Sequence, residues 1–225
     1  MELRHRIDNY GNIIKTEDGY ILEVGPTEAL YYSNAELSDG EFNDLRWNGG
    51  YMDLEARVDY IHYGSFGFGF WNHSMRIKDS KPIWFINLYT PGRYPLKGLF
   101  IQVKNIFIPV KLYNGLKLLK IITSLIPFSK PIKIPIARPL KPDLDITDWN
   151  RYGIRWEKDS AIFYVNREEI YRVDESLDFK ARFDIWIDNA VFIPGKDSAE
   201  VYRHVTNEVR RKNRLYVREI VLRRI

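Results

Sequence analysis

The sequence predicts an all-β protein, an antiparallel sandwich or barrel, on three observations. Several short segments alternate apolar and polar residues with a period of two. Turn residues sit between pairs of such segments, Glu17-Asp18-Gly19 in one case and Lys158-Asp159-Ser160 in another. Regular helical patterns are few. The chain has 225 residues, 45% hydrophobic and 15% aromatic, which is enough for one domain with a sizeable core. A charged fraction of 28% beside abundant Ile, Tyr and Phe excludes a disordered chain.

In chain order, Ile13-Ile14 and Tyr20-Ile21-Leu22 make a first hairpin. Over 51–58, Met52, Leu54, Ala56 and Val58 take one face and Tyr51, Asp53, Glu55 and Arg57 the other. Over 65–73, Phe66, Phe68 and Phe70 share a face opposite Gly67, Gly69, Trp71 and His73. The uncharged run 82–89 reads as a central strand, and 99–110 as one or two strands. Residues 114–126 read as an apolar helix with Lys117, Lys120 and Ser124 on its polar side, ended by Pro127. Pro131, Pro135, Pro139 and Pro142 then force an extended path. We read 111–142 as a basic, helical and Pro-rich insertion within a single domain spanning 1–225. Strands resume at 152–157, 161–166, 168–173 and 182–188. Asp197-Ser198-Ala199-Glu200 resembles a capping box opening a short helix, with Tyr202, Val205 and Val209 on one face. Residues 216–224 close the chain as a strand.

The formal net charge of +4 is a sum of unlike parts. Residues 81–142 hold 11 Lys/Arg and no acid, residues 203–225 hold 8 basic and 2 acidic residues, and the remainder has 15 basic against 28 acidic. The absence of Cys excludes a disulfide scaffold, thiolate-bound zinc, an Fe–S cluster and thiol catalysis. The start Met1-Glu2-Leu3-Arg4-His5-Arg6 has no apolar core, so no secretory leader is expected and a cytoplasmic location is the default. No run of 18 uncharged apolar residues predicts a transmembrane helix. A single Gln, Gln102, beside many Ile and Arg gives a thermophile-like composition.

Several segments together resemble a known family. Trp47–Val58, with its Gly49-Gly50-Tyr51 and Glu55-Ala56-Arg57, is one, and Gly67–Trp71 is a second. The segment from Asp148-Trp149 through Tyr164-Val165-Asn166-Arg167 is similar to a strand pair that ends in a Tyr-Val-Asp-Gly turn. Phe183–Asp188 and Tyr216-Val217-Arg218 resemble the last sheet strands. In this order they resemble the concanavalin A-like jelly-roll sandwich of the laminarinase, lichenase and carrageenase glycoside hydrolases. The resemblance implies a jelly roll whose concave face holds a glycan. It also implies a strand carrying Glu, Asp and Glu at alternate positions, two of them about 5–5.5 Å apart as nucleophile and acid/base. The corresponding run, Pro82-Ile83-Trp84-Phe85-Ile86-Asn87-Leu88-Tyr89, has no carboxylate. The family's hydrolysis is therefore not expected here.

If Phe66, Phe68 and Phe70 face the core, Trp71 and His73 face the groove, and the same alternation aims Asp184, Trp186 and Asp188 there. Trp84 or Asn87 joins them, depending on where a bulge falls. An Asp-x-Trp-x-Asp row offers a pyranose an apolar platform flanked by acceptors. The expectation is a non-catalytic, lectin-like module for an oligo- or polysaccharide, with Trp71, His73, Trp84, Asn87, Asp184, Trp186 and Asp188 as ligand-binding residues. Packing of the Trp residues inside the sandwich is the bland alternative. No metal-ligand or cofactor motif is present; Asp184 and Asp188 with backbone carbonyls are the pair that could hold Ca²⁺. His73 with an Asp could act as an acid/base pair in a divergent glycosidase with relocated carboxylates. A structural or assembly protein is the other reading, with 111–142 meeting a second copy or an anionic surface. No nucleic-acid-binding motif accompanies Arg210-Arg211-Lys212.

Overall fold

The computed structural model describes residues 3–27, 31–74, 79–90, 97–113, 133–136, 138–192, 202–204 and 210–225. Two seven-stranded antiparallel sheets face one another. The first runs β1 (Arg4–Asp8), β4 (Asn34–Ser38), β13 (Arg182–Asp188), β6 (Gly64–Trp71), β7 (Ile83–Tyr89), β8 (Lys97–Val103), β9 (Ile106–Leu112). The second runs β12 (Glu168–Asp174), β11 (Ser160–Val165), β10 (Asn150–Trp156), β5 (Gly50–Val58), β16 (Asn213–Arg223), β3 (Gly19–Val24), β2 (Gly11–Lys15). A small ribbon pairs β14 (Ala190–Phe192) with β15 (Tyr202–His204).

Period-two alternation decides which residues fill the space between the sheets. Phe66, Phe68 and Phe70 of β6, Phe85 of β7 and Phe183, Ile185 and Ile187 of β13 meet Met52, Leu54, Ile154, Trp156, Phe163 and Val217 from the other sheet. Ring pairs bridge the layers: Phe68–Tyr152 at 4.9 Å, Phe70–Trp156 at 5.4 Å and Phe85–Phe163 at 5.5 Å between centroids. Each such buried ring is worth roughly 1.5–3 kcal/mol of apolar transfer, before packing is counted.

The strands expected at 51–58, 65–73, 82–89, 152–157, 161–166, 168–173, 182–188 and 216–224 are all present, and 99–110 resolves into the hairpin β8–β9. Three strands went unread: β1 and β4, which pair with each other and place β4 beside β13, and the short β14. One reading is corrected. Tyr202–His204 is a strand rather than helix, because β14 offers it a pairing partner that a local capping pattern cannot reveal; 197–201 and 205–209 lie outside the described residues. Of the insertion, 114–132 and 137, and with them the expected helix, lie outside the described residues. The rest follows the outer edge of the first sheet. Lys133 bridges Ile106, Leu140 N–H donates to Pro109 (3.0 Å) and Lys141 N–H to Val110 (2.8 Å). Chain laid along an edge strand satisfies backbone groups that would otherwise template aggregation. Among the described residues no helix is long and apolar enough to cross a membrane.

Candidate functional site

The first sheet turns a second set of side chains outward, away from the core. β13 contributes Arg182, Asp184, Trp186 and Asp188; β6 contributes Ser65, Gly67, Gly69 and Trp71; β7 contributes Trp84, Ile86 and Leu88. Register aligns them: Trp186 lies opposite Gly67, Asp184 opposite Gly69, Asp188 opposite Ser65, and Gly69 opposite Trp84. The glycines are what let the rings lie down on the sheet. A Cβ at Gly67 would sit 2.4 Å from the Trp186 ring, and one at Gly69 would sit 2.6 Å from Trp84 Cβ.

The result is an unbroken line of rings. Centroids are 4.6 Å apart for Phe42–His73, 4.4 Å for His73–Trp71, 5.4 Å for Trp71–Trp84 and 4.5 Å for Trp84–Trp186. Each indole N–H is satisfied: Trp71 donates to Ser80 Oγ (2.9 Å), Trp84 to Gln102 Oε1 (2.8 Å) and Trp186 to Ser65 Oγ (3.3 Å). Trp84 and Trp186 are 7% and 9% exposed and join Ile86, Leu88, Phe100 and Phe107 in an apolar cluster distinct from the main core. Trp71 is half-buried and Phe42 is 47% exposed, so the line reaches solvent at that end.

Beside the rings lies a buried polar network. Arg182 Nε donates to Asp184 Oδ1 (2.8 Å), and its Nη2 pairs with Glu36 on β4. His73 Nε2 lies 3.0 Å from Asp184 Oδ2. Further along β13, Asp188 Oδ1 accepts from Ser65 Oγ (2.6 Å) and from the Ala190 N–H (3.0 Å). Burial pushes the Asp184 and Asp188 carboxyls up to about 7, outweighing Arg182 in the first case and Ser65 in the second. Burial raises Glu36 as well, helped by the Asp184 charge. The same dehydration holds His73 down at about 4, with Arg182 adding to it.

Trp71, His73, Trp84, Asp184, Trp186 and Asp188 thus share one face. Asn87 does not. β7 pairs with both neighbours without a bulge, so strict alternation turns Asn87 to the core side with Phe85, where the Tyr113 hydroxyl donates to it. The positions of β7 that face outward hold Trp84, Ile86 and Leu88, none of them a carboxylate. The two Asp residues do not converge on a common ion: they lie four residues apart on one strand, about 13 Å. One donor atom each from Glu36, His73 and Asp184 does fall within 4.8 Å of the others. There, however, the Arg182 guanidinium already pairs with both Glu36 and Asp184. Sequence reasoning missed Glu36 and Arg182. The alternation of Asn34, Glu36 and Ser38 against Ala35 and Leu37 was a readable signal for β4.

No protein-family model matches the sequence, and no curated protein matches it. Solved structures do. One, from work on endo-acting O-glycanases with which human gut microbiota initiate mucin breakdown, superposes with a TM-score of 0.56 at 11% identity, over 97% of this chain and 84% of that one. A Bacillus licheniformis beta-glucanase gives 0.53 at 9% identity, over 99% and 92%. A laminarinase from Flavobacterium sp. UMI-01 gives 0.50 at 14% identity, over 94% and 81%. The chain has the concanavalin A-like jelly-roll fold of these three structures. At such identities the likeness concerns the fold alone.

Proposed function

We propose that the protein binds a glycan on the outer face of its first sheet and does not hydrolyse it. The observation that carries this reading is the ring line from Phe42 through Trp71 to Trp186, on one face of a fold used by enzymes that act on glycans. Trp71 is the platform. Its indole N–H is tied to Ser80 and its ring rests between His73 and Trp84, so little rotamer entropy is lost when a sugar ring stacks on it. The outward positions of β7 supply neither a proton donor nor a nucleophile.

A glycan array and reducing-sugar assays on β-glucans and carrageenans test this together. Wild-type protein is expected to bind at least one glycan and release no sugar, and Trp71→Ala to weaken binding about tenfold or more. No binding to any glycan would sink the reading; sugar release abolished by Asp184→Asn would replace it with a glycosidase. A second reading, a structural or assembly protein, is favoured by the burial of Trp84 and Trp186. It predicts a stable oligomer in light scattering and an empty array.

A further inference from the structure

On the outer face of the second sheet, Arg151, Arg155, Arg172, Arg214 and Arg218 each face a carboxylate. The closest contacts are with Asp53, Glu157, Glu169, Glu23 and Glu55, at 2.6 to 2.9 Å. Arg57, on the same face of β5, has no carboxylate partner among the described residues. It lies opposite Tyr216 of β16, and the pairing of Asn150 with Ala56 brings Trp149 beside it on the other flank. Its guanidinium carbon sits 4.3 Å from the Tyr216 ring centroid and 5.3 Å from that of Trp149. Its Nε–H is buried and donates to nothing. The acids two and four residues from it along the chain have partners of their own: Glu55 has Arg218 (2.8 Å), Asp53 has Arg151 (2.6 Å) and Asp59 has Arg214 (3.9 Å).

We propose that Arg57, held between Trp149 and Tyr216, is an oxyanion-binding residue whose fork takes a carboxylate, sulfate or phosphate group of a ligand. Rings on either side engage the faces of a guanidinium and leave its hydrogen-bonding edge. Aromatic faces cannot satisfy in-plane N–H groups, whereas the two oxygens of an oxyanion match them bidentately. The Nε–H is sealed within the fold, so an anion meets the outward Nη groups, for which no acceptor stands among the described residues. Arg218, 4.1 Å from the same Trp149 ring, fixes that ring's place but is itself paired with Glu55 (2.8 Å), which leaves Arg57 as the group that meets the anion. This site lies on the opposite sheet from the Trp71 platform and stands or falls independently of it.

Arginine Nε–H and tryptophan indole resonances of the intact protein report directly on the site. The protein is titrated with sodium sulfate, phosphate and acetate at constant ionic strength. The Arg57 Nε–H is expected to shift saturably with at least one of them, and the anion that saturates first distinguishes the source. Arg57→Lys, which keeps the charge and loses the fork, is expected to weaken that anion about tenfold, read on the Trp149 indole N–H. An Arg57 resonance that stays still or drifts linearly with all three anions overturns the proposal. So does equal affinity in a folded Arg57→Lys protein, its fold checked by thermal unfolding.

Discussion

Single residues set how the stability of the fold answers to pH and to side-chain volume. His62 is 3% exposed, with Nδ1 3.2 Å from the Tyr63 carbonyl and Nε2 unpaired, and burial holds it down at about 4. Between about pH 6.5 and 4 the unfolded chain takes up a proton that native His62 refuses, so this group costs stability as the pH falls. Asp188 works the other way. Its carboxyl sits at about 7 when folded and 3.8 otherwise, so the native state binds the extra proton and gains stability on acidification across that window. Urea unfolding at pH 7 and pH 4.5 is expected to separate them. Asp188→Asn loses more stability than wild type on going to pH 4.5, and His62→Phe loses less. At neutral pH, Gly67→Ala is expected to cost roughly 1–3 kcal/mol, because its Cβ meets both the Trp186 ring (2.4 Å) and the Phe85 carbonyl (2.5 Å).

At the scale of elements, the turn between β11 and β12 carries its own prediction. Asn166 and Arg167 take φ of 52° and 68°, the left-handed pair of a tight hairpin turn that favours Asn-Gly. Asn166 suits its place, accepting the Arg151 N–H (2.9 Å) and donating to Asn150 (3.0 Å). Arg167 stands where the resembling family turn has glycine, so Arg167→Gly is expected to raise unfolding stability by about 0.5–1 kcal/mol. Much of this level was legible in sequence. The alternation of β5, β6 and β13 sorted core from outer face correctly, since a period of two leaves no other choice once Phe66, Phe68 and Phe70 are inside. Asn87 was ambiguous only because a bulge was allowed for, and β7 has none. What stayed hidden depends on distant partners. The Arg182–Glu36 pair joins residues 146 positions apart, and β15 exists because β14 pairs with it.

For the molecule as a whole, the topology explains where the uneven charge goes. The basic run beginning at Arg210 carries no nucleic-acid-binding motif. It instead enters β16, a central strand between β5 and β3, where Lys212 and Arg214 meet Glu23 and Arg218 meets Glu55 and Asp18. These contacts hold the Glu23 carboxyl down at about 2; burial opposes them. Among the described residues, β16 is also the only link between β5 and the pair β3–β2 within that sheet. Truncation after Lys212 is expected to abolish cooperative unfolding in circular dichroism. Removal of residues 3–8, which takes away the edge strand β1 and the buried Leu3, is expected to leave a lower-melting but cooperative fold. The first sheet has the same arrangement, with β13 inserted between β4 and β6. On the ribosome, then, the strands preceding β13 emerge with an open slot in each layer, and neither layer can close before its missing strand arrives. The nascent chain must keep two unfilled strand sites from pairing with a neighbour until residues 182–188 and 213–223 leave the exit tunnel.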